Sequence, residues 1–143
     1  MKEVLVATDG SLGADRAIDF AAHLAAATQA RLLILTVQEP VPAEVVAEMK
    51  AIEHVGSSEV AELTARGLLV RAMERAKAAG ARDVHSELQI GDPAERILQV
   101  AARRKVDAVV VGKRGRGPLA ALLLGSVSHK LVSLAPCGVV VVP

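Results

Sequence analysis

Apolar and polar positions along the chain fall into two rhythms. Some short runs are apolar at nearly every position, as in "RLLILTV", "DAVVVG" and "GVVVVP". Longer stretches between them bring apolar residues back every three or four positions. The runs Glu3 to Thr8, Arg31 to Val37, Asp83 to Ile90, Asp107 to Val111 and Gly138 to Val142 read as strands. Continuous rather than alternating apolar character is what a parallel sheet covered on both faces requires, so most of these strands are expected to be buried on both sides.

The stretches between the strands read as helices. Ser11 to Thr28 carries Ala14, Ala17, Ile18, Ala21, Ala22, Leu24 and Ala25 at helical spacing, with Ser11 placed as N-cap. A second helix opens at Ser57 or Ser58 and stops at Gly80. In "GDPAERILQVAARRK", Asp92 is the N-cap, Pro93 the first helical residue and Glu95 the partner three positions on, as in a capping box. "GSVSHKLVSLA" starts a last helix with Gly125 and Ser126 at its N-terminus and Val127, Leu131 and Leu134 facing inward. Strand and helix thus alternate, which predicts an α/β fold: one domain over residues 1–143, with a doubly wound five-stranded parallel sheet and helices on both faces. Ligands of such sheets bind beyond the carboxyl ends of the strands. Gln38 to Gly56 is too long for an ordinary loop. Pro40 and Pro42 break its start, while Val45, Val46, Met49 and Ile52 have helical spacing and predict a short helix packed over the sheet edge.

Composition narrows the function classes. Apolar residues make up 52% of the 143, yet Phe20 is the only aromatic, so stacking on aromatic platforms is excluded. Seventeen basic and sixteen acidic residues give a net charge of +1, which lacks the broad basic footprint of a nucleic-acid binder. The longest apolar stretches, such as Leu119 to Leu124, are far shorter than a membrane helix, and no signal-peptide pattern is seen; a cytoplasmic protein with no membrane partner is expected. The single Cys137 excludes an internal disulfide and a multi-cysteine zinc site, and its place before a valine run predicts a buried packing residue. His23, His54, His85 and His129 show no metal-ligand spacing.

Chemistry concentrates in "VVVGKRGRGPLAALLLGSVSHK". Gly112 follows the fourth strand directly, so the loop "GKRGRGP" opens at the carboxyl edge of the sheet. Glycines let backbone N–H groups approach an anion, and successive amides form an anion-binding concavity. Gly125 and Ser126 then stand at a helix N-terminus, which attracts phosphate through its unpaired N–H groups and its dipole. Two phosphate-seeking elements, with Lys113, Arg114 and Arg116 as counter-charge, fit a polyphosphate. The same spacing equally fits a plain turn, a capped helix and a solvated basic surface. No "GxxxxGK[ST]" occurs, which removes the P-loop. "GRGPLA" matches GxGxxA but follows the wrong strand and lacks the acidic residue downstream.

Gly112, Gly115, Gly125 and Ser126 stand in the arrangement G-x2-G-x9-G-[ST], and the chain also contains "VLVATDGS", "LLILTV", "GDPAERI" and "APCGVVVVP". In these features it resembles the ATP-binding branch of the universal stress protein family along its whole length. The resemblance implies a Rossmann-like sheet of the adenine nucleotide alpha hydrolase type, strand order 3-2-1-4-5, and ATP as ligand with Mg2+ or Mn2+. By the same resemblance Thr8 and Asp9 line the nucleoside end, Asp9 near the ribose or the ion. Val37 and Val111 lie against adenine, and Gly112 and Gly115 meet ribose and phosphates, beside the counter-charge of Lys113 and Arg114. Gly125, Ser126, Val127 and Ser128 hold the phosphate tail through N–H and hydroxyl groups. It implies a homodimer through Gly138 to Val142, an apolar edge strand that needs covering in any case.

For Asp9 the residues alone also fit a carboxylate capping the first helix. Hydrolysis would need an oriented water and a base, and no obvious base emerges. The favoured expectation is a nucleotide-binding regulator that signals to a protein partner. A slow ATPase or phosphotransferase using the same pocket, or a nucleotide-free dimeric scaffold, are the alternatives.

Overall fold

The structure is a computed structural model, and the residues described are 1–40, 43–45, 47–48, 57–113 and 124–143. The strands are β1 (Glu3–Ala7), β2 (Arg31–Gln38), β3 (Val84–Ile90), β4 (Ala108–Gly112) and β5 (Gly138–Val142). The helices that connect them are α1 (Leu12–Thr28), α2 (Ser57–Ala78), α3 (Pro93–Arg104) and α4 (Ser126–Leu134). All strand pairs are parallel, in the order β3-β2-β1-β4-β5. The chain runs outward from β1 through β2 to β3, then returns to the other side of β1 for β4 and β5. Strand order therefore reverses between β1 and β4, and that is where a doubly wound sheet opens a crevice at its carboxyl edge.

The period of two along each strand divides the core. Val4, Val6, Leu32, Ile34 and Val110 face α1 and α2, where Ile18, Leu69 and Ala76 meet them. Leu5, Leu33, Leu35, Val109 and Val111 face α3 and α4, where Ile97, Val100 and Leu131 complete the layer. Alanines along α1 (Ala14, Ala17, Ala21, Ala22, Ala25) are buried, so small side chains let that helix lie close on the sheet. Arg75 of α2 grips Asp19 of α1 with two 2.8 Å hydrogen bonds and ties the two helices across their outer surface.

Local chemistry sets the helix ends. Ser11 Oγ accepts from the Ala14 N–H at 3.1 Å and Asp92 Oδ2 from the Glu95 N–H at 3.0 Å, so both predicted N-caps form. The C-caps of α1 and α3 were not predicted. Gln29 and Lys105 take the left-handed conformation, with φ of 56° and 52°, and turn their N–H groups back to the last carbonyls.

Three expectations need correction. Burial on both faces holds for β1, β2 and β4, whereas β3 and β5 are edge strands with half-buried and exposed positions. Cys137 is half-buried; it packs under the α3/α4 layer, and burial followed by the nearby Asp107 carboxylate pushes its thiol pKa up. Several strand ends shift by one residue. The Asp107 carboxylate, just before β4, accepts from the Lys2 and Glu3 N–H groups at 2.6 and 2.9 Å. The short helix expected within Gln38 to Gly56 falls largely on residues 41, 42, 46 and 49–56, outside the described residues.

Candidate functional site

The loop after β1 braces itself. Thr8 is buried; its N–H donates to the Leu35 carbonyl at 2.9 Å and its carbonyl accepts from Thr36 Oγ1 at 2.8 Å, which locks the end of β1 to β2. Thr8 Oγ1 accepts from the Gly10 N–H at 3.2 Å, and Asp9 Oδ1 accepts from the Ser11 N–H at 2.9 Å. Gly10 sits at φ 80°, which the sharp reversal requires. The cap of α1 is thus Ser11, and Asp9 stands one step earlier as an exposed carboxylate at the carboxyl edge.

The end of β4 lies against this loop. A Cβ on Gly112 would come within 3.0 Å of the backbone carbon and oxygen of Gly13 and 3.3 Å of the Ala14 nitrogen. The close approach that glycine permits at 112 is therefore to the start of α1, and it holds the β1 and β4 loops together across the crevice.

Lys113 clasps three elements. Its N–H donates to the Val142 carbonyl of β5 at 2.7 Å, and its own carbonyl accepts from the Gly125 N–H at 2.8 Å and from Ser128 Oγ at 3.0 Å. Ser128 is buried, and its hydroxyl also lies 3.1 Å from the Gly125 carbonyl. These bonds set the N-terminus of α4 beside the end of β4. Gly125 caps that helix without any side-chain hydrogen bond, in contrast to Ser11 and Asp92 on α1 and α3, and no acidic residue stands in the first turn. Among the described residues no side chain caps the first-turn N–H groups of α4, which carry the positive end of the helix dipole.

The apolar residues expected at the site share one layer. Val37, Val111, Val127 and Ala7 belong to the cluster facing α3 and α4, Val111 buried and Val37 and Val127 partly so. Ser126 is exposed at the helix start. The structure thus gathers Thr8, Asp9, Val37, Val111, Gly112, Lys113, Gly125, Ser126, Val127 and Ser128 at the carboxyl edge of the sheet. Arg114 and Gly115, with Arg116, lie outside the described residues. The Ser128 hydroxyl, expected to face a ligand, instead points at two carbonyls of its own chain. Sequence reading missed the Lys113 carbonyl and the Thr36 hydroxyl, since a backbone acceptor and a strand threonine leave no motif.

Several other basic and acidic groups serve the scaffold. Of "RRK", Arg103 pairs with Glu87 and Arg104 with Glu3, both at 2.7 Å. Asp83 and Asp107, whose pKa values are lowered by hydrogen bonds, sit at the amino edge of the sheet, away from the crevice. Among the described residues no group of three or more His, Cys, Asp or Glu is placed to hold a metal ion by itself, and no helix is long and apolar enough to cross a membrane.

The sequence pattern of the universal stress protein family matches residues 1–143. The chain belongs to the universal stress protein family. A universal stress protein of Thermus aquaticus is 40% identical over 144 residues, covering 99% of this chain and 98% of the relative. The Bacillus subtilis universal stress protein YxiE is 37% identical, covering 98% and 97%. Among solved structures, a universal stress protein in complex with cAMP shares 32% identity and a TM-score of 0.73 over 99% of this chain and 96% of that one. Universal stress protein UspA from Lactobacillus plantarum, at 24% identity, has the same fold with a TM-score of 0.83 over 99% and 97%. In this universal stress protein the crevice between β1 and β4 and the start of α4 form the candidate site.

Proposed function

We propose that this universal stress protein binds ATP at the carboxyl edge between β1 and β4 and acts as a cytoplasmic, homodimeric, nucleotide-dependent regulator of a protein partner. The observation that carries the reading is the N-terminus of α4, which has no side-chain cap and is fixed beside β4 by the Lys113 carbonyl. A dipole end held in place without a side-chain cap is a phosphate site in chemical terms. The relative of 32% identity that binds cAMP supports an adenine nucleotide as the ligand class, and the three basic residues of "GKRGRG" favour a longer, more charged phosphate tail.

In this reading Gly125, Ser126, Val127 and Ser128 offer backbone N–H groups to the phosphates. Lys113 and Arg114 add counter-charge, and Gly115 meets the ribose and phosphates. Val37 and Val111 lie against adenine, while Thr8, Asp9 and Gly112 frame the ribose. Mg2+ or Mn2+ fits as well: Asp9 supplies one carboxylate, and such ions are commonly held by one or two carboxylates together with substrate phosphates and water. The ion would neutralise phosphate charge. The dimer forms through β5, whose valines at 139 to 142 remain only half-buried in a single chain.

The test is to purify the protein without added nucleotide, denature it and identify any released small molecule by mass spectrometry, then to titrate ATP, ADP and cAMP by calorimetry with and without Mg2+. Gly115→Val is the control. Co-purified ATP, or micromolar ATP binding that the variant loses, supports the reading; no binding of any of the three nucleotides by either protein overturns it. Light scattering of the same sample reads the dimer.

A further inference from the structure

α2 shows solvent a face that does not look like a solvent face. Val60, Leu63 and Val70 are 46%, 71% and 56% exposed. At 100° per residue these three and Gly67 fall within an arc of about 80°, opposite the buried Leu69, Ala72 and Ala76. Gly67 interrupts the stripe without a side chain; a Cβ there would meet only the Arg71 guanidinium, at 3.6 Å. The spacing of three, four and three residues is that of a helix–helix seam.

The charges beside the stripe name its occupant. Glu59 and Lys77 are both exposed, and neither enters an ion pair among the described residues. They stand 18 residues apart. That is about five helical turns, so they lie on the same flank of the stripe, one at each end. When two identical helices pack antiparallel about a two-fold axis, the same flanks meet and opposite ends face each other. An axis near Gly67 brings Leu63 of each copy to within about one residue of the height of Val70 of the other, and Glu59 to within about two residues, roughly 3 Å, of Lys77, a gap the lysine side chain spans. In a parallel arrangement the two flanks that carry Glu59 and Lys77 would lie on opposite sides of the seam, and neither residue would meet the other.

We propose that the α2 stripe is a self-association surface that takes a second copy of this chain, antiparallel and two-fold symmetric, with Val60, Leu63, Gly67 and Val70 as its seam and paired Glu59 and Lys77 as its ends. Glu74, the next position along the seam, falls opposite Val60 of the other copy, so the apolar contact is carried by Leu63, Gly67 and Val70 and ends there. The contact is independent of the nucleotide site and doubles whatever unit β5 makes. One short seam belongs among small, weak interfaces, so the doubling is expected at a dissociation constant on the order of 100 µM.

Sedimentation equilibrium over a wide concentration range tests it with charge exchange as the readout. Glu59→Lys alone and Lys77→Glu alone each place like charges together and should weaken the doubling about tenfold; the double exchange should return it to within about threefold of the parent. Leu63→Lys should abolish the doubling and leave the melting temperature unchanged. A mass that does not depend on concentration, or a double exchange no better than either single one, overturns the proposal. So does a Leu63→Lys variant that melts markedly lower, which would show that the chain itself covers the stripe.

Discussion

The hydroxyl of Ser128 lies 3.0 Å from the carbonyl oxygen of Lys113, fifteen residues earlier in the chain, and joins the first turn of α4 to the end of β4. The Gly125 N–H reaches the same oxygen at 2.8 Å. One carbonyl thus fixes the direction in which the dipole of α4 points. In the proposed function Ser128 therefore matters as a brace, with its N–H rather than its hydroxyl turned to phosphate. Ser128→Ala should cost about 1 kcal/mol of stability, because the Lys113 carbonyl keeps its bond from Gly125. ATP affinity should still fall several-fold and hydrogen exchange at the start of α4 should accelerate; calorimetry and exchange on one sample read both.

Gly125→Asp should move stability and binding in opposite directions. An aspartate there, at φ −71°, supplies the side-chain cap that α4 lacks and should raise stability by about 0.5–1 kcal/mol. The same carboxylate occupies the N–H groups and repels phosphate, so ATP affinity should drop at least tenfold. Urea denaturation and calorimetry give the two signs. A variant that is more stable and binds ATP as the parent does would remove α4 from the site.

Gly112→Ala tests the junction of the two loops. The added methyl would meet the Gly13 backbone at 3.0 Å, and backbone cannot rotate aside as a side chain can. Pushing α1 from β4 should cost about 1–3 kcal/mol, the usual range for overpacking. The midpoint of denaturant unfolding checks it.

Asp107 gives a pH signature at the other edge of the sheet. Hydrogen bonds from the Glu3 and Lys2 N–H groups hold its carboxyl below the ordinary value. A depressed folded pKa means the stabilisation is complete above the unfolded carboxylate value and disappears as pH falls through the folded one. Asp107→Asn should therefore be less stable than the parent near neutral pH, and the two should converge in acid. Unfolding curves at neutral and strongly acid pH read the difference; a constant gap between them would contradict the assignment.

What the sequence made legible was local. Ser11 and Asp92 announced their caps because cap and N–H donor lie three residues apart, and β2 announced itself because Leu32 to Leu35 are apolar at every position, as burial on both faces requires. The order of the strands was not in the periodicity, which is the same for a central strand as for an edge strand; it came with the family resemblance. β3 carries the difference faintly, in His85, Ser86 and Glu87, and a reading that looked for apolar runs passed over it. At the site, glycines at 112 and 125 looked alike as letters. One turned out to admit Gly13, ninety-nine positions away in the chain, and the other to leave a helix end open. No spacing rule reaches that far, because the contact is made by the fold and not by the neighbouring residues.

The Lys113 clasp also separates two problems that a protein with a ligand loop must otherwise solve together. The segment between Lys113 and Gly125 begins and ends at a hydrogen bond, so its base is closed whatever lies within it. Lengthening such a closed segment costs only logarithmically, about 0.6 kcal/mol per doubling. In the proposed function, exchanging or lengthening the residues between 113 and 124 should therefore change nucleotide affinity while the sheet beneath keeps its register.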